Sequence, residues 1–299
     1  MEKIIGKIES INKGPNYCNT TIILEDKKHL NIKLDLGQDA LLQLGKIFQF
    51  EIESYLKEEV THYKAISFIP VEQANLDNDR MAELVQSFYE HAPIKIAEIK
   101  KGIEGYLKKI NNPILKAVTT EIYKKYEGQF YLHPAATKFH HAYVGGLSYH
   151  TYVMLSMVDP MTNIYPFLNK ELLYAGTILH DISKINEMTG VDGEYTTEGT
   201  LLGHIVMGSI EIDKAAVKLG FENSEEVMLL KHMMISHHGQ LNFGSPKKPQ
   251  LGEALLLWFM DTIDSKFTEL GTALEETKSG EFTQSINVLD KMRFYKPKL

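Results

Sequence analysis

Histidines and carboxylates are concentrated in the middle of the chain, in a pattern that suits the binding of divalent metal ions. Nine of the twelve histidines fall between residues 133 and 238. His180 and Asp181 are adjacent at the end of an apolar run, and Asp261 follows another apolar run, residues 255–260. Burying such groups without a partner costs free energy, and a divalent cation would satisfy them. The predicted metal ligands are His150, His180, Asp181, His204, His237, His238 and Asp261.

The donor types of this ligand set narrow the choice of metal ion, and a nearby lysine adds a group that suits a phosphate. Imidazoles and carboxylates without a thiolate suit Mn²⁺, Fe²⁺ or Mg²⁺ better than a structural zinc ion. Lys184 lies four residues after His180, so the two share a helix face if the helical turn continues. There it would hold a substrate phosphate or stabilise developing negative charge; the alternative is a surface lysine. Asp181 and Lys184 are therefore the predicted catalytic residues.

Apolar residues that recur every three or four positions predict the helices that must position these groups. We expect the chain to be helical from residue 79 to its end. The predicted helices cover residues 80–92, 142–157, 169–180, 200–219, 224–237 and 250–278.

The first seventy residues are instead typical of β-strands. A short helical stretch, residues 38–44, separates the third strand from the fourth, which is the order of an OB-fold barrel. Such barrels often bind oligonucleotides, but they also serve as structural or dimerisation modules. Tyr17, Tyr55 and Lys57 fall in the predicted binding loops, where aromatic rings would stack on bases and lysine would hold phosphates. The predicted strands are residues 3–11, 19–26, 29–35, 46–53 and 60–69.

These patterns predict a multidomain β plus all-α protein. A five-stranded OB-fold barrel would span residues 1–72, a linker residues 73–79, and an all-helical metal-binding domain residues 80–299. Residues 286–289 are apolar, and a homo-oligomer could form through them if they are exposed.

Composition narrows the function classes and the compartment. The net charge of −7 argues against coating duplex DNA. Residues 95–125 nevertheless hold eight lysines against three glutamates, either as a solvated helix face or as a track for phosphates. No apolar run reaches membrane-spanning length, the N-terminus lacks the pattern of a secretory signal, and Cys18 is the only cysteine. We therefore expect a cytoplasmic protein that does not bind membranes.

The histidine and aspartate series resembles the metal-binding pattern of the HD phosphohydrolase superfamily. Residues 180–184, HDISK, are similar to its His-Asp-x-Gly-Lys signature, with Ser183 at the position of the glycine. Residues 140–151, HHAYVGGLSYHT, together with the N-terminal barrel, resemble the YhaM-type 3′→5′ exoribonucleases of low-GC Gram-positive bacteria. This second resemblance covers almost the whole chain, including the domain order.

The resemblance implies a cytoplasmic, Mn²⁺-dependent enzyme that trims single-stranded RNA from its 3′ end and releases nucleoside monophosphates. It implies a first metal ion held by His150, His180, Asp181 and Asp261. Asp181 would bridge to a second metal ion, held also by His204 and by His237 or His238. Water activated between the two ions would attack the phosphodiester. His140 and His141 would contact the terminal nucleotide, or would cap or pack the helix that follows them.

Two other functions stay open at this point. An HD-type cyclic-dinucleotide phosphodiesterase or a nucleotide phosphohydrolase would use the same site, although a small nucleotide needs no strand-binding barrel. A non-catalytic nucleic-acid-binding factor with a vestigial site would have no reason to keep every ligand. Activity on single-stranded DNA and the oligomeric state are likewise open.

Overall fold

A computed structural model describes residues 2–137 and 141–299. The chain forms two compact units. One comprises the residues up to His91 together with Gly190–Glu194, and the other comprises Ala92–Thr189 and Tyr195–Leu299.

The first unit contains a closed five-stranded barrel, as the strand pattern predicts. Its strands pair in the order β1-β2-β3-β5-β4, and β4 closes the barrel by pairing with β1. Alternation along the strands explains the core, because Phe48, Phe50 and Ile52 point inward and are buried while Gln49 and Glu51 are not. The predicted OB-fold is thereby confirmed. The strands are β1 (Glu2–Gly14), β2 (Tyr17–Leu24), β3 (His29–Leu34), β4 (Ile47–Lys57) and β5 (Val60–Pro70).

The helical stretch between β3 and β4 is shorter than the sequence predicts. It is a single 3₁₀ turn, Gln38–Leu41, rather than a helix over residues 38–44. The chain then extends at Leu42 and reverses at Gly45, whose φ of 73° favours glycine.

Helix α1 (Asn78–Phe88) belongs to the same compact unit as the barrel. The Asp77 side chain caps it by accepting a hydrogen bond from the Arg80 amide. Leu84 and Phe88 bury in one cluster with Ile47 of β4, which is why the unit extends past the barrel itself. The boundaries of independently folding domains, predicted at residues 72 and 80, stay a prediction.

The second unit is helical, and its core lies around α5. Every residue from Leu172 to Leu179 is buried, because this helix is surrounded by α2, α3, α4, α8 and α9. The remaining helices each bury one face against it or against one another. The helices are α2 (Ile96–Lys108), α3 (Pro113–Phe130), α4 (Gly146–Ile164), α5 (Lys170–Leu179), α6 (Lys184–Glu187), α7 (Thr197–Leu219), α8 (Glu225–Ser236) and α9 (Gly252–Glu275).

The C-terminal segment corrects two expectations. The chain is not helical to its end: beyond α9 it makes isolated β-bridges and reverses at Asp290 and Lys291, both with positive φ. Ile286 and Leu289 are each 7% exposed, so the idea that residues 286–289 offer an exposed apolar stretch is wrong. Among the described residues, no helix is long and apolar enough to cross a membrane.

Candidate metal centre

The helical unit brings all of the predicted metal ligands into one buried region. His180 and Asp181 lie at the C-terminal end of α5, and His150 lies on α4. The other predicted ligands come from α7 (His204), the end of α8 (His237, His238) and α9 (Asp261).

Asp181 lies between two sets of imidazole nitrogens. On one side, its Oδ2 is 3.3 Å from Nε2 of His180 and 3.8 Å from Nε2 of His150. On the other side, its Oδ1 is 3.4 Å from Nε2 of His204 and 3.6 Å from Nε2 of His237. One carboxylate thus faces both sets, which is the geometry of a bridging ligand.

Each set is compact enough to surround a cation. Ligand atoms of His150, His180 and Asp181 lie within 4.8 Å of one another, and so do those of the set Asp181, His204, His237 and His238. Asp261 approaches the first set from α9, with its Oδ1 3.4 Å from Nε2 of His150.

Hydrogen bonds at the outer ring nitrogens orient two of these histidines through the backbone. Nδ1–H of His180 donates to the carbonyl of Thr177 at 2.7 Å, and Nδ1–H of His237 donates to the carbonyl of Met234 at 2.7 Å. A proton on Nδ1 leaves Nε2 as the lone-pair nitrogen, and Nε2 is the atom that faces Asp181.

Carboxylates orient the other two histidines, and neither carboxylate was among the predicted site residues. Asp264 accepts from Nδ1 of His150 at 2.6 Å. Glu187 accepts hydrogen bonds from both the backbone amide and Nδ1 of His204, each at 2.9 Å. The sequence carries weak signals for them: Asp264 lies one helical turn after Asp261, and Glu187 follows the HDISK segment.

A break inside α7 allows the double contact between Glu187 and His204. Gly203 has φ 70° and ψ 155°, which interrupts the helix just before His204 and leaves the His204 amide without its usual helical acceptor. The amide donates its hydrogen bond to Glu187 instead. A side chain at this φ would be strained, so the glycine has a structural reason.

Buried acceptor atoms of the centre lack hydrogen-bond partners, which fits the binding of a divalent cation. Among the residues that the structure describes, Oδ1 of Asp181 and the Nε2 atoms of His204 and His237 are buried polar atoms without a hydrogen-bond partner. All three are acceptors when the histidines are neutral, and Oδ1 of Asp181 lies 3.4 Å from Nε2 of His204 and 3.6 Å from Nε2 of His237. Buried acceptors that face one another are costly, and a shared cation removes that cost.

The electrostatic potential of the first set is negative. Burial by itself lowers the pKa of His150, but hydrogen bonds to Asp261 and Asp264 outweigh it and raise that pKa to about 10. Burial likewise opposes ionisation of Asp181, yet Lys184 and His180 hold its pKa well below the usual range. A region that draws a proton onto a buried imidazole also attracts a metal cation.

Lys184 points into the centre and is not a surface lysine. Its Nζ lies 2.8 Å from Oδ2 of Asp181, and its side chain is 13% exposed. Burial lowers its pKa, but the charge of Asp181 outweighs this and raises it, so the ammonium form persists at neutral pH. Ser183 has φ −76°, a conformation open to any residue, so serine in place of glycine does not disturb the turn that presents Lys184.

His141 is buried and shares Oδ2 of Asp264 with His150. It is 2% exposed, its Nε2 is 2.7 Å from Oδ2 of Asp264, and its Nδ1 is 2.6 Å from the hydroxyl of Tyr143. This placement favours the packing role over the predicted substrate contact. His140, the other predicted contact, lies outside the described residues.

The predicted contacts of the barrel are on its surface. Tyr17 is 53% exposed at the start of β2, and Tyr55 is 39% exposed and stacks on His62 with ring centroids 5.5 Å apart. Lys57 is exposed at the end of β4.

Several lysines of residues 95–125 have acidic partners, which favours the solvated-face interpretation for those positions. Lys100 pairs with Glu127 at 2.6 Å, and Lys109 pairs with Asp159 at 2.7 Å.

Comparisons with known proteins agree with this architecture. The family model described as the HD domain matches residues 147–266, a span that contains all of the predicted metal ligands. The chain is 42% identical over 294 residues to the 3′-5′ exoribonuclease YhaM of Geobacillus sp. (strain WCH70). That alignment covers 97% of this chain and 90% of the Geobacillus protein.

Proposed function

The chain belongs to the YhaM family of 3′→5′ exoribonucleases, and from this premise we propose that it hydrolyses single-stranded RNA from the 3′ end and releases nucleoside 5′-monophosphates. The observation that carries the proposal is Asp181, which presents one carboxylate oxygen to each of two sets of imidazole nitrogens. Such an arrangement suits a two-metal phosphodiesterase.

We assign the metal ligands as the sequence predicts. His150, His180, Asp181 and Asp261 would hold one divalent ion, and Asp181, His204 and His237 or His238 would hold a second. When bound, the ions supply Lewis-acid polarisation of the phosphodiester and lower the pKa of water. Mn²⁺ is the favoured ion, with Mg²⁺ and Fe²⁺ as alternatives that the same nitrogen and oxygen donors accept.

The other residues of the centre position the histidine ligands or neutralise negative charge on the phosphate. Lys184 keeps a protonated ammonium group beside Asp181, where it would stabilise negative charge on the phosphate oxygens. Asp264 and Glu187 hold the rings of His150 and His204, so that the lone pairs stay directed inward. Burial of these carboxylates and imidazoles limits the access of bulk water, which strengthens each charge interaction.

The barrel would bind the strand upstream of the reacting end. Exposed Tyr17 and Tyr55 offer rings for base stacking, and Lys57 offers a charge for phosphate. We also propose that the enzyme acts in the cytoplasm, on RNA substrates. Activity on single-stranded DNA and assembly into a homo-oligomer stay predictions.

Digestion of a 5′-labelled single-stranded RNA oligomer tests the proposed function. With Mn²⁺ we expect a ladder that shortens from the 3′ end and a mononucleotide product, and with excess chelator we expect intact RNA. Intact RNA in Mn²⁺ would contradict the proposal, and turnover of cyclic dinucleotides or free nucleotides would then favour the other HD activities. Metal binding without turnover of any of these substrates would favour a binding factor.

The role of the barrel gives a second prediction, made with the full-length chain. Combined Tyr17→Ala, Tyr55→Ala and Lys57→Ala substitutions should raise KM for a long RNA roughly tenfold or more, since each lost stacking contact weakens binding. The kcat for a dinucleotide should stay unchanged, because the helical site is intact. Leu36→Ala, at another exposed position of the same unit, is the matched control. An unchanged KM for long RNA would exclude this role for the three residues.

A further inference from the structure

An open pocket of about 600 Å³ lies next to the candidate metal centre, and none of the candidate metal ligands lines it. We propose that it holds the base of the 3′-terminal nucleotide, a role that rests on the proposed exoribonuclease function. The pocket is lined by the loop Gly239–Asn242, by residues 248–250, and by Leu255 and Trp258 of α9. Its volume lies in the range of sites for small organic ligands.

The residues that line the pocket are close in the chain to two of the candidate metal ligands, His238 and Asp261. The lining loop begins at Gly239, directly after His238, whose ring contacts that of His204 with centroids 5.1 Å apart. The opposite wall, Trp258, lies three residues before Asp261 on the same helix, which is a rise of about 4.5 Å. A nucleotide whose phosphate lies at the metal centre could therefore place its base in this pocket.

Trp258 is held in place by close packing against the loop. Gly239 has φ 71°, and a Cβ at this position would lie 2.0 Å from the indole ring. The loop backbone therefore approaches the ring as closely as a glycine permits. On the helix side the indole stacks with Phe259, with centroids 5.1 Å apart and planes 25° apart. Gly239 and Phe259 thus cover the faces of the indole, and its edge lines the pocket. A fixed apolar edge costs little entropy when a base packs against it.

The other lining groups suit a nucleobase and do not select one strongly. Gln240, Asn242 and Gln250 bring amide groups that both donate and accept hydrogen bonds, so they can pair with the edge of any base. Lys248 adds a cation that favours an anionic ligand. Apolar contact with the edge of the indole also does not distinguish one base from another. An enzyme that removes successive nucleotides needs this combination of affinity and tolerance.

Trp258 is the only tryptophan of the chain, so its fluorescence reports on this pocket alone. The probes are AMP and CMP, titrated into the full-length protein in Mg²⁺ and excited where nucleotides do not absorb. We expect saturable quenching by both. Ribose 5-phosphate, which lacks a base, should cause no quenching, whereas a pocket that recognises only sugar and phosphate would respond to it. Quenching by ribose 5-phosphate equal to that by AMP, or no quenching by either nucleotide, would overturn the proposal.

Kinetics with RNA provide an independent test of the same pocket. Trp258→Ala should raise KM for an RNA oligomer roughly tenfold or more with a smaller change in kcat, because it removes the apolar edge against which the base packs. Trp258→Phe should recover part of the loss because it restores part of that surface. Phe267→Ala, at a 67% exposed position of the same helix, is the control and should leave KM unchanged. Failure of Trp258→Phe to recover any of the loss in KM, in a protein that melts normally, would contradict a packing role for Trp258.

The quenching experiment and the RNA digestion can fail independently, so failure of the base pocket is distinguishable from failure of the exoribonuclease function. A 3′→5′ ladder without quenching by nucleotides would leave the exoribonuclease intact and remove the base pocket. Quenching without any RNA ladder would keep the pocket as a mononucleotide site and remove the exoribonuclease.

Discussion

Replacement of Asp181 by asparagine is expected to reduce RNA hydrolysis at least about a hundredfold, the range for loss of a group that stabilises charge in a transition state. The reason is that both carboxylate oxygens are engaged, Oδ2 toward His180 and Oδ1 toward His204. Asparagine keeps the volume but offers only one oxygen and no charge. Lys184 would also lose the partner that holds its ammonium group at 2.8 Å.

The measurement is the initial rate of mononucleotide release in Mn²⁺, with bound metal counted after dialysis. We expect metal content and rate to fall together. Asp159→Asn is the control, since Asp159 pairs with Lys109 and takes no part in the candidate centre. An Asp181→Asn protein that melts normally, retains its full metal content and degrades RNA at the original rate would refute the bridging assignment.

Glu187→Ala is expected to lower metal affinity and activity roughly ten- to a hundredfold, as is usual when the partner of a ligating histidine is removed. Glu187 accepts two hydrogen bonds from His204, through the amide and through Nδ1, and its loss frees the ring to turn. Burial acts against ionisation of Glu187, but the hydrogen bonds that it accepts from the ring and the backbone amide of His204 hold its pKa below the usual value. The carboxylate is therefore charged at neutral pH.

Two further variants separate positioning from simple destabilisation. Glu187→Gln keeps an acceptor for His204 and should lose less metal affinity than Glu187→Ala. Glu211→Ala removes another buried glutamate of the same unit, one that pairs with Lys125 and Lys214, and should lower the melting temperature without changing the metal titration. Equal metal affinity in the Glu187→Ala protein and the original protein would contradict the positioning role.

The sequence determined the type of chemistry and the order of the elements. Alternating apolar residues in the first seventy positions predicted five strands, and the closed barrel confirms them. The helices around the histidines were predicted to within several residues, because apolar spacing reports directly on which face is buried. The candidate metal ligands stood out in the sequence because histidine and aspartate at the ends of apolar helices have few other stable arrangements.

Only the tertiary structure showed which carboxylates hydrogen-bond to the candidate histidine ligands. Glu187 and Asp264 hold His204 and His150 through contacts across 17 and 114 positions of sequence, and no local pattern encodes such pairs. The same reason applies to His141, for which the sequence left both substrate contact and packing open, and for which the hydrogen bond with Asp264 favours packing.

Local sequence patterns also failed to predict which apolar residues near the C-terminus are buried, because burial there depends on the path of the chain and not on residue type. The apolar residues Ile286 and Leu289 could equally have been an exposed contact surface, and only the reversal of the chain at Asp290 and Lys291 buries them. The pocket at Trp258 is formed by a loop and a helix that only the fold brings together. The sequence by itself thus fixes which groups can react, because chemistry depends on residue type. Their orientation depends on long-range packing, which only the folded chain determines.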